Sequence, residues 1–300
     1  MKIEDKLEIV IPTFNRCEKL GITFSYLLGE NSPVKNCDIT ILDDCSTDNT
    51  PNLVKKIAEK HPNVKYRRNA RNIGCWGNIL KAHEVASREY FWMLGDNDTY
   101  HWECFNEVHK GIESGADVLV VGYAGCDWKP KDLRTWVVLP GGWDVYPCLI
   151  LKTSNITDEM FRLMEAVSPD NPIIYRGVLL LNQKPNLKVI TVRTDVVNWV
   201  RLEKKDHKLC GPFPLTLEVS FPLMFRDIKV ETIQREVFNY MFPPLSNVLG
   251  LYMCKRRFWL AFLLAPRKQK FYFLIMGHWL LFKRICKKLI HLDFSVKSLN

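Results

Sequence analysis

Short apolar runs alternate with amphipathic stretches along the first 125 residues. Residues 7–12 (LEIVIP) form a β-branched run closed by a proline, and the loop after it leads into TFNRCEKL, which opens a helix. Residues 38–44 (DITILDD) predict a second strand. The stretch STDNTPNLVKKIAEK then reads as a cap, Ser46 or Thr47, followed by a helix with Leu53, Val54, Ile57 and Ala58 on one face. Residues 63–69 (NVKYRRN) predict a third strand, and WGNILKAHEVASRE a helix with Ile79, Leu80, His83 and Ala86 on one side. A fourth strand follows at 90–94 (YFWML), then the helix WECFNEVHKGIESG and a fifth strand at 116–124 (ADVLVVGYA). This alternation predicts an α/β, Rossmann-like fold with right-handed crossovers and a mostly parallel sheet. Ligands of such sheets sit beyond the carboxyl ends of the strands. Polar clusters follow strands one, two and four, so they are expected to converge on one crevice.

From about 127 to 244 the pattern is broken. WKPKDLRTWVVLPGGWDVYP reads as loop, NITDEMFRLMEAVSPDNP as a helix ended by proline and LKVITVRTDVVNWV as strand-like, while Pro169, Pro172, Pro212, Pro214, Pro222, Pro243 and Pro244 divide the rest into short pieces. After residue 244 apolar blocks alternate with basic clusters. The longest block, Phe271 to Phe282, has twelve residues and contains His278, well short of the roughly 20 a spanning helix needs. Ile285, Leu289 and Leu292 share a helical face, Lys283, Arg284, Lys287, Lys288 and His291 occupy the rest, and Trp259 and Trp279 flank basic groups. Helices of this kind lie in the interface of an anionic leaflet. The alternative is a helical hairpin packed on the rest of the protein or on a second subunit. The expected organisation is therefore a domain over 1–244, with nucleotide binding in 1–125 and the acceptor side in 126–244, and a basic amphipathic helical extension over 245–300.

Charge sharpens this division. The net charge is +9, and residues 245–300 carry eleven basic side chains against one acidic, Asp293, leaving the first 244 residues close to neutral. An anionic partner is accordingly expected at the tail, and the continuous apolar blocks there disfavour nucleic acid. The ten cysteines are scattered without a C-x-x-C pair or a paired His/Cys spacing, which argues against a structural zinc site and against a disulfide framework and suits a reducing cytoplasm. The opening MKIEDKLEIVIP has no apolar signal region, so the expected location is the cytoplasm, peripherally on the inner face of the cell membrane.

The chemistry starts where the fourth strand runs into Gly95, Asp96, Asn97 and Asp98. Two carboxylates one residue apart repel unless a cation or a set of donors holds them, and a hard divalent ion suits an all-oxygen site of this kind. An ordinary Asp/Asn turn is the alternative. Asp43 and Asp44 close the second strand in the same way. A strand-end carboxylate can accept the imide N–H of a uracil or thymine ring; helix capping is the competing role. RNARNIGCWGN then sets Arg68, Arg71, Asn72 and Gly74 before a helix, with Gly74 permitting close backbone approach and Arg71 long enough to reach a base or a pyrophosphate.

IVIPTFNR, ILDDCSTDNT, RNIGCWGN and YFWMLGDND, in that order and spacing over about the first 125 residues, resemble the nucleotide-binding half of the family 2 glycosyltransferases of GT-A fold. The nearest group is that of bacterial abequosyltransferase-like and rhamnosyltransferase-like enzymes of O-antigen, lipooligosaccharide or capsule synthesis. The resemblance implies a nucleotide-sugar donor, UDP-linked by family habit, a Mn²⁺ or Mg²⁺ ion, inversion at the anomeric carbon, and a glycan or polyprenyl-linked acceptor. Carried over by position, it implies that Pro12, Thr13, Asn15 and Arg16 line the nucleoside pocket. Asp43 or Asp44 contacts the base, with Arg71 and Asn72 flanking it. Asp96 and Asn97 lie near the ribose, and Asp96 and Asp98 bind the metal, with Asp98 the principal ligand. Two departures stand out: the usual GDDD reads Gly-Asp-Asn-Asp, which implies altered metal binding, and Cys45 occupies a position that often holds glycine. For the base that deprotonates the acceptor, Asp170 between prolines and Asp144 are the candidates; Asp158 and Glu159 read as first-turn helix acids. A non-catalytic nucleotide-sugar-binding or scaffold protein of the same fold is the alternative to an enzyme. A sugar-phosphate nucleotidyltransferase is disfavoured, because PTFNRCEKLG is not a glycine- and arginine-rich loop.

Overall fold

The computed structural model describes residues 2–103, 105–121, 131–138, 148–167, 172–192, 197–198 and 227–241. The chain divides into two compact units, Met1–Leu217 and Glu218–Asn300. In the second, the described helix Glu231–Met241 buries Ile233 and Val237 and pairs Arg235 with Glu231 one turn away at 2.7 Å.

The first unit is built on strands β1 (Leu7–Thr13), β2 (Asp38–Asp43), β3 (Val64–Arg68), β4 (Tyr90–Met93), β5 (Thr99–Tyr100), β6 (Val118–Val121), β7 (Leu149–Lys152), β8 (Val189–Val192) and β9 (Val197–Asn198). Its helices are α1 (Cys17–Leu27), α2 (Thr50–Lys60), α3 (Cys75–Glu84), α4 (Phe105–Glu113), α5 (Thr135–Val138), α6 (Asp158–Val167) and α7 (Pro172–Gln183). Seven strands form one sheet in the order β3-β2-β1-β4-β7-β6-β8, and β5 pairs with β9 in a second, two-stranded sheet. The pairs β1–β2, β2–β3, β1–β4 and β6–β8 are parallel, and β7 runs antiparallel to both of its neighbours. The expected mostly parallel α/β sheet is present. All seven residues of β1 are buried, as a strand covered on both faces requires. Ile9, Ile11, Ile39, Ile41 and Trp92 share one core with Leu20 and Phe24 of α1 and Val108 and Ile112 of α4.

Register positions the functional end. Thr13 pairs with Asp43 and Asp43 with Arg68, so the carboxyl ends of three strands form one row. Chain order reverses between β1 and β4, the topological switch point at which open α/β sheets place their ligand crevice. Backbone bonds from Asp44 N to Thr13 O and from Leu94 N to Val10 O extend the row across that point.

The structure corrects several expectations. Neither Ser46 nor Thr47 caps α2: the N-cap is Asn49, and the Ser46 hydroxyl instead accepts the Asn15 amide hydrogen at 2.9 Å. Pro172 opens a helix rather than breaking one, because the first helical position has no use for an amide hydrogen. The stretch 128–147, expected as loop, contains the helical turn Thr135–Val138. Residues 149–152 received no element from the sequence and form β7 in mid-sheet. Residues 122–124 of the expected fifth strand, and the tail 245–300, lie outside the described residues.

Candidate functional site

Three loops meet above the switch point. The first follows β1 and turns at Asn15, whose φ of 53° is one of two positive values outside glycine among the described residues. That geometry aims the Asn15 side chain at the loop after β2, where its Oδ1 accepts the amide hydrogens of Thr47 at 2.7 Å and Asp48 at 3.3 Å. Asp48 answers by accepting the Cys17 amide hydrogen at 3.1 Å, and Thr50 Oγ1 accepts from Arg16 N at 3.2 Å. The two loops are thus stapled to each other from both sides.

The second loop begins with Asp43 and Asp44, which are buried almost completely. A buried carboxylate is costly unless its oxygens are satisfied, and here they are. Asp43 accepts from Ser46 N at 2.9 Å and from the Tyr66 hydroxyl at 2.6 Å, and the Arg68 guanidinium lies 3.8 Å away. Burial, with the same contact adding to it, pushes the Tyr66 phenol up. Asp44 accepts from Asn69 Nδ2 and from the backbone of Ile73 and Gly74, each at 2.9 Å. Asn69 is held in turn by Asn78 and Lys81. Asp44 therefore anchors the loop that presents Arg71 and Asn72 at the surface. Gly74 caps α3 with φ +83°, and a Cβ there would meet nothing within 4 Å, so glycine serves the backbone angle rather than close packing. Cys45 sits at φ 63°, which explains why glycine suits this position; its sulfur accepts from Arg68 Nη2 at 3.5 Å.

The third loop follows β4. The Thr13 hydroxyl donates to Asp96 Oδ2 at 2.7 Å, which joins the ends of β1 and β4 directly. Burial pushes the half-buried Asp96 carboxyl up, and the Thr13 hydroxyl with the nearby cations Arg16 and Lys19 works against that shift. Asp98 is 8 % exposed and folds back over Gly95, where a Cβ would stand 2.3 Å from Asp98 Oδ2. Any side chain at 95 would displace the carboxylate. Behind the loop, the Tyr100 hydroxyl donates to Gly95 O at 3.1 Å and its ring stacks on Trp102. Pairing of Thr99 and Tyr100 with Asn198 and Val197 ties the loop to the second half of the unit.

Pro12, Thr13, Asn15, Arg16, Asp43, Asp44, Asp96, Asn97 and Asp98 thus gather around the ends of β1, β2 and β4, with Arg71 and Asn72 on the loop anchored beside them. Asp144 and Asp170 lie outside the described residues, and Asp158 and Glu159 are exposed in the first turn of α6. A groove of about 470 Å³ between Leu80, His83, Thr153, Asp158 and Phe161 lies at the other end of α3 and holds none of the strand-end residues. Tyr66, Asn69, Asn78 and Lys81 support the site without having been singled out in the sequence. Among the described residues no group of three or more His, Cys, Asp or Glu forms a metal cage. The two carboxylates of the third loop suit a hard ion that takes its remaining ligands from phosphate and water.

Residues 8–141, a little under half of the chain, match the family model described as glycosyl transferase family 2. Among curated relatives, the poly(ribitol-phosphate) β-N-acetylglucosaminyltransferase TarP of Staphylococcus aureus is 28% identical over 131 residues, 43% of this chain and 39% of TarP. Abequosyltransferase RfbV of Salmonella typhimurium is 27% identical over 124 residues, 40% of this chain and 37% of RfbV. The chain thus spans less than half the length of these relatives. Among solved structures, S. aureus TarS 1–349 in complex with UDP-GlcNAc superposes with a TM-score of 0.60 at 16% identity, over 88% of this chain and 82% of TarS 1–349, a likeness of fold that supports the GT-A assignment.

Proposed function

We propose that the protein transfers a sugar, with inversion, from a nucleoside-diphosphate donor to a glycan or lipid-linked glycan acceptor in bacterial surface polysaccharide synthesis. The observation that carries this reading is the Thr13–Asp96 bond closing the switch point inside a family 2 domain. UDP is the proposed donor nucleotide, in keeping with the UDP-GlcNAc complex of TarS. Asp43 and Asp44 set the loops around the base, and Asp44 holds Arg71 and Asn72 beside it. Thr13, Arg16 and Lys19 favour the ionised form of Asp96 against its burial, so that it acts as an acceptor towards the ribose and as a ligand. Asp98, seated on Gly95, is the proposed principal ligand for Mn²⁺ or Mg²⁺. A cation held there supplies charge neutralisation to the departing diphosphate. Asp170 or Asp144 is the proposed base that takes the acceptor proton.

The expected result with a UDP-sugar panel, Mn²⁺ and a lipid-linked acceptor extract is cation-dependent UDP release that falls about 100-fold or more in Asp98→Asn. Equal rates in the variant would contradict the assignment. We also propose that residues 245–300 attach the protein to an anionic leaflet, since their basic groups are flanked by Trp and Phe. Among the described residues no helix is long and apolar enough to cross a membrane. Deleting 245–300 is expected to abolish co-sedimentation with phosphatidylglycerol vesicles; undiminished co-sedimentation would point to a packed hairpin.

A further inference from the structure

The two strand-end carboxylates of the second loop are buried alike but balanced differently. Asp43 has the Arg68 guanidinium 3.8 Å away. Asp44 has no cation in direct contact among the described residues; its oxygens accept only from the Asn69 side chain and the backbone amides of Ile73 and Gly74. A cation reaches it through one intermediary. Lys81 Nζ donates to Asn69 Oδ1 at 2.8 Å, and Asn69 Nδ2 donates onward to Asp44 Oδ1 at 2.9 Å. This fixes the orientation of the Asn69 amide. An ammonium only donates and an ionised carboxylate only accepts, so a turned amide would face donor with donor at Lys81 and acceptor with acceptor at Asp44. Asn78 secures the same orientation: its Oδ1 accepts from Asn69 Nδ2 and its own Nδ2 donates to Leu42 O, each at 2.9 Å. Asn69 and Asn78 are both buried, where a mismatched polar group is costly.

The loop that depends on this chain of bonds has little else to hold it. Residues 70–75 are all exposed, Ile73 among them, so no buried side chain pins the stretch down. It is tied instead by polar contacts: Ile73 N and Gly74 N on Asp44, Gly74 N shared with Asn72 Oδ1 at 2.9 Å, and Asn78 N on Gly74 O. Segments with few buried apolar contacts open at low free energy. The placement of Arg71 and Asn72 therefore follows the orientation of Asp44, and Asp44 is oriented by the chain that begins at Lys81. A lysine kept only for solubility would give its ammonium to water. Lys81 is half-buried, and its ammonium is spent on a buried amide.

We propose that Lys81 is a positioning residue for the donor nucleotide. Through Asn69 and Asp44 it fixes the backbone at 73–74, and with it the Arg71 and Asn72 side chains proposed to flank the base. It acts through these neighbours and not by contact with the nucleotide. The proposal rests on the donor reading above and adds to it a residue from within α3.

The test uses the full-length chain with Lys81→Met, which keeps the apolar stem and removes the donor, and Lys81→Arg, which keeps a cationic donor. Each is made in the wild-type background and in Arg71→Ala. Amide exchange of peptides covering residues 70–78 is followed without ligand, UDP binding by calorimetry, and overall stability by urea midpoint. The expected result for Lys81→Met is exchange about fivefold faster at Ile73 and Gly74, the worth of one net hydrogen bond, with UDP binding weakened by a similar factor. Most of that weakening is expected to vanish in the Arg71→Ala background, because residues that act through one contact are not additive. Lys81→Arg is expected to restore both readouts. Unchanged exchange at 73–74 in Lys81→Met would overturn the proposal. So would faster exchange spread over the whole sheet with a matching fall in urea midpoint, or an equal loss of UDP affinity in both backgrounds. Localised exchange, rescued by arginine, in a protein that never binds UDP would leave the relay standing and fail the donor reading instead.

Discussion

His83 and Arg176 show how burial decides a charge state. His83 is 3 % and Arg176 2 % exposed, with the His83 ring edge-on to Phe91 and Phe161. A guanidinium only donates, so Arg176 Nη1, at 2.5 Å, makes His83 Nε2 the acceptor, and the Nδ1 hydrogen goes to Ile79 O at 2.8 Å. Burial, with the Arg176 charge adding to it, lowers the His83 pKa to about 3. The unfolded chain takes up this proton near the ordinary value of 6.5 while the folded chain refuses it. Stability is therefore full above pH 6.5 and falls as pH drops, by roughly 1.4 kcal/mol per unit well below 6.5. Asp38, Asp117 and Asp132 are held below the carboxylate value of 3.8, so their losses come at lower pH, while Asp96, pushed up by burial, acts in the opposite sense; the difference between wild type and a non-titrating side chain at 83 isolates His83. Urea midpoints across the window from pH 6.5 to 4 are expected to slope in wild type and to flatten in His83→Gln, which keeps an acceptor for Arg176 but does not titrate. Parallel slopes would contradict the assignment. At this scale the strand-end carboxylates were legible, because Asp43, Asp44, Asp96 and Asp98 interrupt apolar runs. Their donors were not: Tyr66, Asn69 and the amides of Ile73 and Gly74 arrive from 23 to 30 residues away, half of them as backbone that no residue type advertises.

Elements were legible wherever burial left a periodic trace. The first four strands and the helices between them fall within a few residues of their predicted limits, since apolar runs bounded by polar clusters admit few other readings. β7 escaped because its apolar run is cut off at Lys152 and follows a stretch with no clear period. α7 escaped because Pro172 read as a breaker. Gly177 is required by packing: a Cβ there would stand 2.2 Å from Val137 O and 2.9 Å from Val137 C, and backbone cannot rotate aside as a side chain can. Gly177→Ala is expected to force α7 off α5 and to cost about 2 kcal/mol or more, read as a lowered urea midpoint. An unchanged midpoint would show that the two helices are not in this contact. This is the region proposed to carry the acceptor side, where Asp144 and Asp170 were inferred from loop position alone.

Charge acts over the whole molecule, and its sum misled where its distribution did not. The first 244 residues nearly cancel, yet the stretch 51–74 is basic between acidic flanks, and a steering field depends on such local asymmetry rather than on the total. The donor crevice and the tail are separate proposals on one chain, and the first is the central one. Calorimetric titration of UDP, with and without Mn²⁺, into wild type and Asp98→Asn tests it most directly. The account predicts that Mn²⁺ tightens UDP binding at least about tenfold in wild type, a coupling of about 1.4 kcal/mol, and that Asp98→Asn folds normally but loses the gain. UDP binding that ignores both the cation and Asp98, or no UDP binding at all, would contradict it.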